Sequence, residues 1–135
     1  MEKFTWDDKY SVGVQKFDDE HKILFGMINK LFDSGNTQED SETVTDLITE
    51  MTDYFHHHFR TEEQCMRENG YPGYSEQCTE HSKFVERVLD FCDADLSQPE
   101  KIKKDMAIYL RDWLTNHVLV TDMKYKSFFN EKGLI

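Results

Sequence analysis

A chain of 135 residues is long enough to bury a core of its own as one domain, spanning 1–135, without help from disulfides or a structural metal. Its 27 Asp and Glu against 16 Lys and Arg leave a net charge of −11, which repels phosphate backbones and anionic membrane surfaces and argues against both as partners. The three cysteines, Cys65, Cys78 and Cys92, are odd in number, far apart and without a C-x-x-C, so neither a disulfide framework nor a zinc ribbon is predicted, and a reducing cytoplasm is the expected compartment.

Residues 1–17 read as a non-helical arm whose Trp6, Tyr10 and Phe17 pack on the remainder. The opening MEKFTWDDKYSVGV has neither the basic nor the apolar region of an export signal, and no run is long enough to span a bilayer. Six Gly and two Pro fall mainly between periodic segments, at Gly35, at 69–73 and at Pro99, and divide residues 18–135 into four helices. The first, 18–32, aligns His21, Leu24, Phe25, Ile28, Leu31 and Phe32 at spacings of three and four. Asp40-Ser41 offers an N-cap to the second, which carries Val44, Leu47, Ile48, Met51, Tyr54, Phe55, His58, Glu62 and Met66 in phase. Tyr71-Pro72-Gly73 closes that hairpin. The third, 75–92, aligns Gln77, His81, Phe84, Val85, Val88 and Cys92. Ser97 caps the fourth, which aligns Ile102, Met106, Tyr109, Leu110, Trp113 and His117. Four amphipathic helices with short connections predict an all-α, up-down-up-down antiparallel bundle, and a monomer is expected.

Ionisable side chains recur on these apolar stripes: His21, His58 with Glu62, His81, and His117 followed by Asp122. Burying such groups is costly unless they are paired or bind a cation, and their presence on four separate helices predicts one shared metal centre. His58 and Glu62, at i and i+4, project the same way. Successive helical positions differ by about 100°, so of the His56-His57-His58 run only His58 faces inward. His117 and Asp122 are five apart, a spacing that puts both on one face only if the helix ends or widens between them. The acidic runs at 18–20 and 40–42 read as solvated. Four imidazoles and two carboxylates exceed one catalytic zinc and suffice for two metals, and the lack of in-phase thiolates disfavours iron–sulfur clusters and copper(I). No Glu-x-x-His occurs, so the ferritin-like carboxylate pattern is absent and a histidine-rich di-iron site fits better. One turn before His81, where a second imidazole of that helix would stand, the chain has Gln77.

The chain resembles the hemerythrin family, in its single-domain bacterial form, through W-x(5)-V-G from Trp6 to Gly13, D-x-E-H-K-x-L-F around His21, H-F-x-x-E-E-x-x-M from His58 to Met66, Y-P-G-Y at residues 71–74, and W-L-x-N-H-x(4)-D-x-K-Y from Trp113 to Tyr125. The resemblance implies two irons bridged by Glu62, Asp122 and a solvent oxygen, with His21 and His58 on the iron that keeps an open position for dioxygen. The other iron would have His81, His117 and, in place of the family's further histidine, the Gln77 carbonyl oxygen or a water. It also implies an apolar pocket for dioxygen, lined by Leu24, Phe59, Trp113, Val118 and Val120. The expected function is non-enzymatic dioxygen binding for storage, delivery or sensing. An altered di-iron redox chemistry, peroxidase-like or scavenging peroxide or nitric oxide, is the alternative that Gln77 raises.

Overall fold

The computed structural model describes residues 5–33, 41–92 and 99–135. Every regular element among them is helical: a 3₁₀ turn at Asp8–Tyr10, α1 at Gln15–Asp33, α2 at Ser41–Glu68, α3 at Tyr74–Cys92, α4 at Pro99–Asn116 and α5 at Met123–Glu131, with the π-helical segment His117–Asp122 joining the last two. α1 packs against α2 and α4, and α2 against α3. The fold is an antiparallel up-down-up-down four-helix bundle with an N-terminal arm. None of the described helices is long and apolar enough to cross a membrane.

α1 begins at Gln15, three residues before the expected start. The arm turns at Gly13, whose φ of 75° suits a residue without Cβ. The Asp18 carboxylate then accepts hydrogen bonds from the Val12 N–H (2.8 Å) and the Ser11 hydroxyl (2.6 Å), tying the arm to the first turn. Apolar periodicity first registers at Phe17, so the polar pair Gln15 and Lys16 gave no warning of a helix. As expected, the arm packs on the bundle: Trp6 lies against Tyr10 and Phe25 with ring centroids 5.7 and 5.4 Å away, while Phe17 is buried within α1 itself.

α2 ends at Glu68, and the chain turns at Gly70, left-handed at φ 67°. There the Tyr71 N–H reaches back to the Met66 carbonyl (2.9 Å) and the Gly70 N–H to that of Arg67 (3.3 Å), which satisfies two carbonyls that the helix end would orphan. The expected hairpin at 71–73 follows, and a Cβ on Gly73 would stand 2.7 Å from the Tyr71 ring, so any other residue there would displace that ring. The expected caps at Asp40-Ser41 and Ser97 lie outside the described residues and side chains.

Helical bonding does not end at His117. It widens to the i→i+5 pattern over His117–Asp122 and resumes in α5. One extra residue per turn brings Asp122 onto the face of His117, resolving the five-residue spacing. Leu24, Ile28, Met106, Leu110 and Leu114 fill the bundle, and Phe17, Tyr125 and Phe129 cluster beside them, all less than 2% exposed. Full burial of each contributes on the order of 1.5–3 kcal/mol, and this apolar stabilisation lets the middle of the bundle hold a group of charges.

Candidate metal centre

His21 from α1, His58 and Glu62 from α2, Gln77 and His81 from α3, and His117 and Asp122 from the π segment converge in the bundle interior, each at most 3% exposed. Ligand atoms of His21, His58 and Glu62 all lie within 4.8 Å of one another, as do those of Glu62, His81 and His117. Glu62 thus belongs to two triads. Asp122 spans the same gap, with Oδ2 3.3 Å from His21 Nε2 and Oδ1 3.0 Å from His117 Nε2. Glu62 Oε1 lies 3.1 Å from His58 Nε2 and 3.7 Å from His81 Nε2, while Oε2 lies 3.7 Å from His21 Nε2.

These contacts meet ion-pair distance, yet His21 Nε2, Glu62 Oε1 and Asp122 Oδ2 make no hydrogen bond, and the Gln77 Oε1 is likewise buried without a donor. Leaving such a group unsatisfied costs about 1–3 kcal/mol, and several in one place are sustained by a body they all face. Nε2 of His81 and Nε2 of His117 approach to 3.2 Å, so without a cation one of them must carry the hydrogen between them, a place that a cation held by both would take. Imidazole nitrogens and carboxylate oxygens with no thiolate are a donor set for first-row divalent ions. By these measures the residues fit two cations.

The outward nitrogens are fixed by carboxylates. His58 Nδ1 donates to Glu20 Oε1 (2.8 Å) and His81 Nδ1 to Glu63 Oε2 (2.7 Å), so both rings turn Nε2 inward. Glu80 Oε1 lies 3.5 Å from His117 Nδ1 and accepts from the Thr121 hydroxyl at 3.1 Å. The Tyr125 hydroxyl donates to Glu62 Oε2 at 2.6 Å, fully buried. None of these partners was among the expected site residues. Glu20, read as solvated with the rest of 18–20, is only 7% exposed, and Asp18 of the same run anchors the arm; Asp19 alone is exposed. The run at 40–42 falls outside the described side chains.

Burial pulls the His58 imidazole down, but the Glu62 and Glu20 carboxylates outweigh it and carry it up to about 10. His117 follows the same balance, lowered by burial and raised by Asp122, Glu80 and Glu62 to about 10. Burial raises Glu62, yet His58 and His21 hold it well below the carboxylate range. Burial and Glu62 both raise Asp122, and His117 and His21 overcome them, leaving it at about 2. Without a cation, protons on the imidazoles balance the ionised carboxylates. Tyr125, by burial and by its two carboxylate neighbours Asp122 and Glu62, is pushed well above the phenol range and stays a donor. Tyr125→Phe removes the hydrogen bond from Tyr125 to Glu62 Oε2 and is expected to lower the stability of the metal-free protein by about 2 kcal/mol, read as an earlier urea midpoint at unchanged slope.

Of the residues expected to line an apolar pocket, Leu24 and Val118 are fully buried, Phe59 stacks on the His81 ring (3.9 Å, 8°) and Trp113 on the His117 ring (4.4 Å, 12°). Val120 does not belong with them. It is 59% exposed, because the π segment turns only one edge inward and Val120 lies on the other. His56 and His57 are exposed as expected, His57 with Nε2 3.6 Å from Glu20.

A four-helix bundle that aims four imidazoles and two carboxylates at its own axis, in triads that share a carboxylate, is a helical cation-binding domain. Residues 12–129 match the Hemerythrin HHE cation binding domain, and the chain belongs to the hemerythrin family. It is 32% identical over 126 residues to a bacteriohemerythrin of Methylococcus capsulatus, covering 93% of this chain and 95% of the relative. A myohemerythrin of Theromyzon tessulatum is 38% identical over 125 residues, covering 93% and 92%. Among solved structures, a wild-type hemerythrin superposes with a TM-score of 0.78 at 32% identity, covering 91% of this chain and 95% of that one.

Proposed function

We propose that this chain, as a single hemerythrin-like domain spanning residues 1–135, is a non-haem di-iron protein that binds dioxygen reversibly, for storage, delivery or sensing rather than for turnover. The observation that carries the reading is the membership of Glu62 in both triads, which gives two cations one common ligand. His21 and His58 would hold one iron, His81 and His117 the other, and Glu62 and Asp122 would bridge them. When bound, two irons supply the pair of electrons and the open coordination position that dioxygen requires.

The remaining work falls to the chain. Glu20 and Glu63 accept hydrogen bonds from Nδ1 of His58 and His81, so that Nε2 is the atom presented inward. Tyr125 holds the Glu62 carboxylate in its bridging orientation. Leu24, Phe59, Trp113 and Val118 would keep the site apolar and exclude water from it. A monomer in a reducing cytoplasm is the setting this reading calls for.

A second reading, redox turnover of peroxide or nitric oxide, is favoured by one observation: Gln77 stands buried beside Asp122 where an imidazole would complete the second iron. Iron counting together with visible spectra of the reduced protein before oxygen, after oxygen and after sparging separates the two. Two irons per chain with a visible band that appears and reverses is the expected result. Irreversible oxidation with two irons would move the assignment to turnover, and fewer than two irons would end the di-iron reading.

A further inference from the structure

The Gln77 side chain is 1% exposed in α3, and its amide nitrogen is fully engaged: Nε2 lies 3.0 Å from Asp122 Oδ1 and 3.4 Å from the Thr121 carbonyl oxygen. Both neighbours are acceptors only, so they fix which end of the amide is which. Exchanging the ends would set Oε1 against a carboxylate oxygen and a carbonyl oxygen, three acceptors with no hydrogen among them. The oxygen that receives the amide hydrogen is the same Asp122 Oδ1 that stands 3.0 Å from His117 Nε2. Oε1 itself has no donor. A neutral amide oxygen is a poorer donor to a transition metal than an imidazole nitrogen, whereas an amide N–H on a buried carboxylate is a charge-assisted bond.

Building on the di-iron reading, we propose that Gln77 anchors the Asp122 carboxylate and does not itself bind a cation, so that the His81–His117 side carries only two imidazoles and keeps a position open to a small exogenous anion. The two halves of the centre then offer equal sets of protein donors, two imidazoles each and the two shared carboxylates. The unpartnered Oε1 accepts the hydrogen of the water or protonated ligand at that position. Gln77 is a positioning residue for Asp122, and a chain with histidine there would lose the second position.

Calorimetric titration of the iron-loaded, oxidised protein with azide tests this. Two azides per iron pair are expected for the wild type and for Gln77→Leu, and one for Gln77→His, whose imidazole fills the position. Gln77→Leu should also release iron to a chelator about 10-fold more readily, because Asp122 loses its anchor. One azide in the wild type and two in Gln77→Leu would mean that Oε1 ligates, and one azide in both would mean that the position is closed; either overturns the proposal. The wild-type stoichiometry decides the matter even if a variant fails to fold. Fewer than two irons before azide is added would instead defeat the di-iron reading, whereas two irons with one azide defeats only the role given to Gln77.

Discussion

Glu62→Gln is expected to remove both cations at once, taking the iron content from two per chain to none at concentrations that saturate the wild type, whereas His81→Ala should retain iron on the His21–His58 side. Both cations would depend on the one shared carboxylate. Glu62 lies within reach of His21, His58, His81 and His117, and among the described residues no other is common to the two triads. Its negative charge also offsets the imidazoles in the metal-free protein, where His58 sits 3.1 Å away and is held protonated up to about 10. Substituting a neutral amide keeps the volume and an acceptor for Tyr125 but leaves buried positive charge with one carboxylate fewer. Breaking a buried pair in this way costs about 3–5 kcal/mol, so the metal-free variant should also melt on the order of 10 °C below metal-free wild type. Elemental analysis after dialysis and a thermal scan of both forms check the two halves. An iron retained by Glu62→Gln at wild-type affinity would show that the triads bind independently, and the bridging role would fall.

Helical period alone turned the candidate ligands inward. His21, His58, His81 and His117 share the phase of their apolar neighbours, and the five-residue gap to Asp122 demanded a departure from α geometry that the π segment His117–Asp122 supplies. What the period could not show was pairing between helices. Glu20, Glu63 and Glu80 each stand next in sequence to a candidate ligand, so by phase they point away from it. Each instead meets a histidine of another helix: Glu20 with His58 from 38 positions off, Glu63 with His81 across 18, Glu80 with His117. Tyr125 was visible as the last letter of a motif, but its partner Glu62, 63 residues earlier, was not. Val120 failed for the converse reason. Inside a segment with an added residue per turn the 3.6 period no longer counts faces, and proximity in sequence to His117 and Asp122 is no guide to which way a side chain points.

Metal-free and iron-loaded protein should diverge in their response to alkali between pH 6.5 and 10, the first losing stability while the second holds it. In the metal-free fold His58 and His117 keep their protons up to about 10, against 6.5 for a free imidazole, so the native state holds more protons than the unfolded chain throughout that window. Their contribution to stability is complete below 6.5 and is lost as pH rises through 10. Asp122, at about 2 against 3.8, contributes above 3.8 and loses its share as pH falls through 2. The metal-free protein is therefore most stable between about pH 4 and 6.5, and its melting temperature should drop by about 10 °C on going to pH 9.5. Iron binds the deprotonated imidazoles and competes with those same protons, so loading strengthens as pH rises over the range in which the empty site weakens. At pH 7, with iron about 1,000-fold above its dissociation constant, binding adds roughly 4 kcal/mol, and chelation should lower the melting temperature by about 15 °C. That gap should widen toward pH 9 and close toward pH 5. Thermal scans of both forms across this range, with proton release on iron addition followed in a pH-stat at pH 7, measure it. Parallel curves with no proton release would mean that the imidazoles are not the groups the cation displaces protons from, and the assignment of His58 and His117 as ligands would not survive.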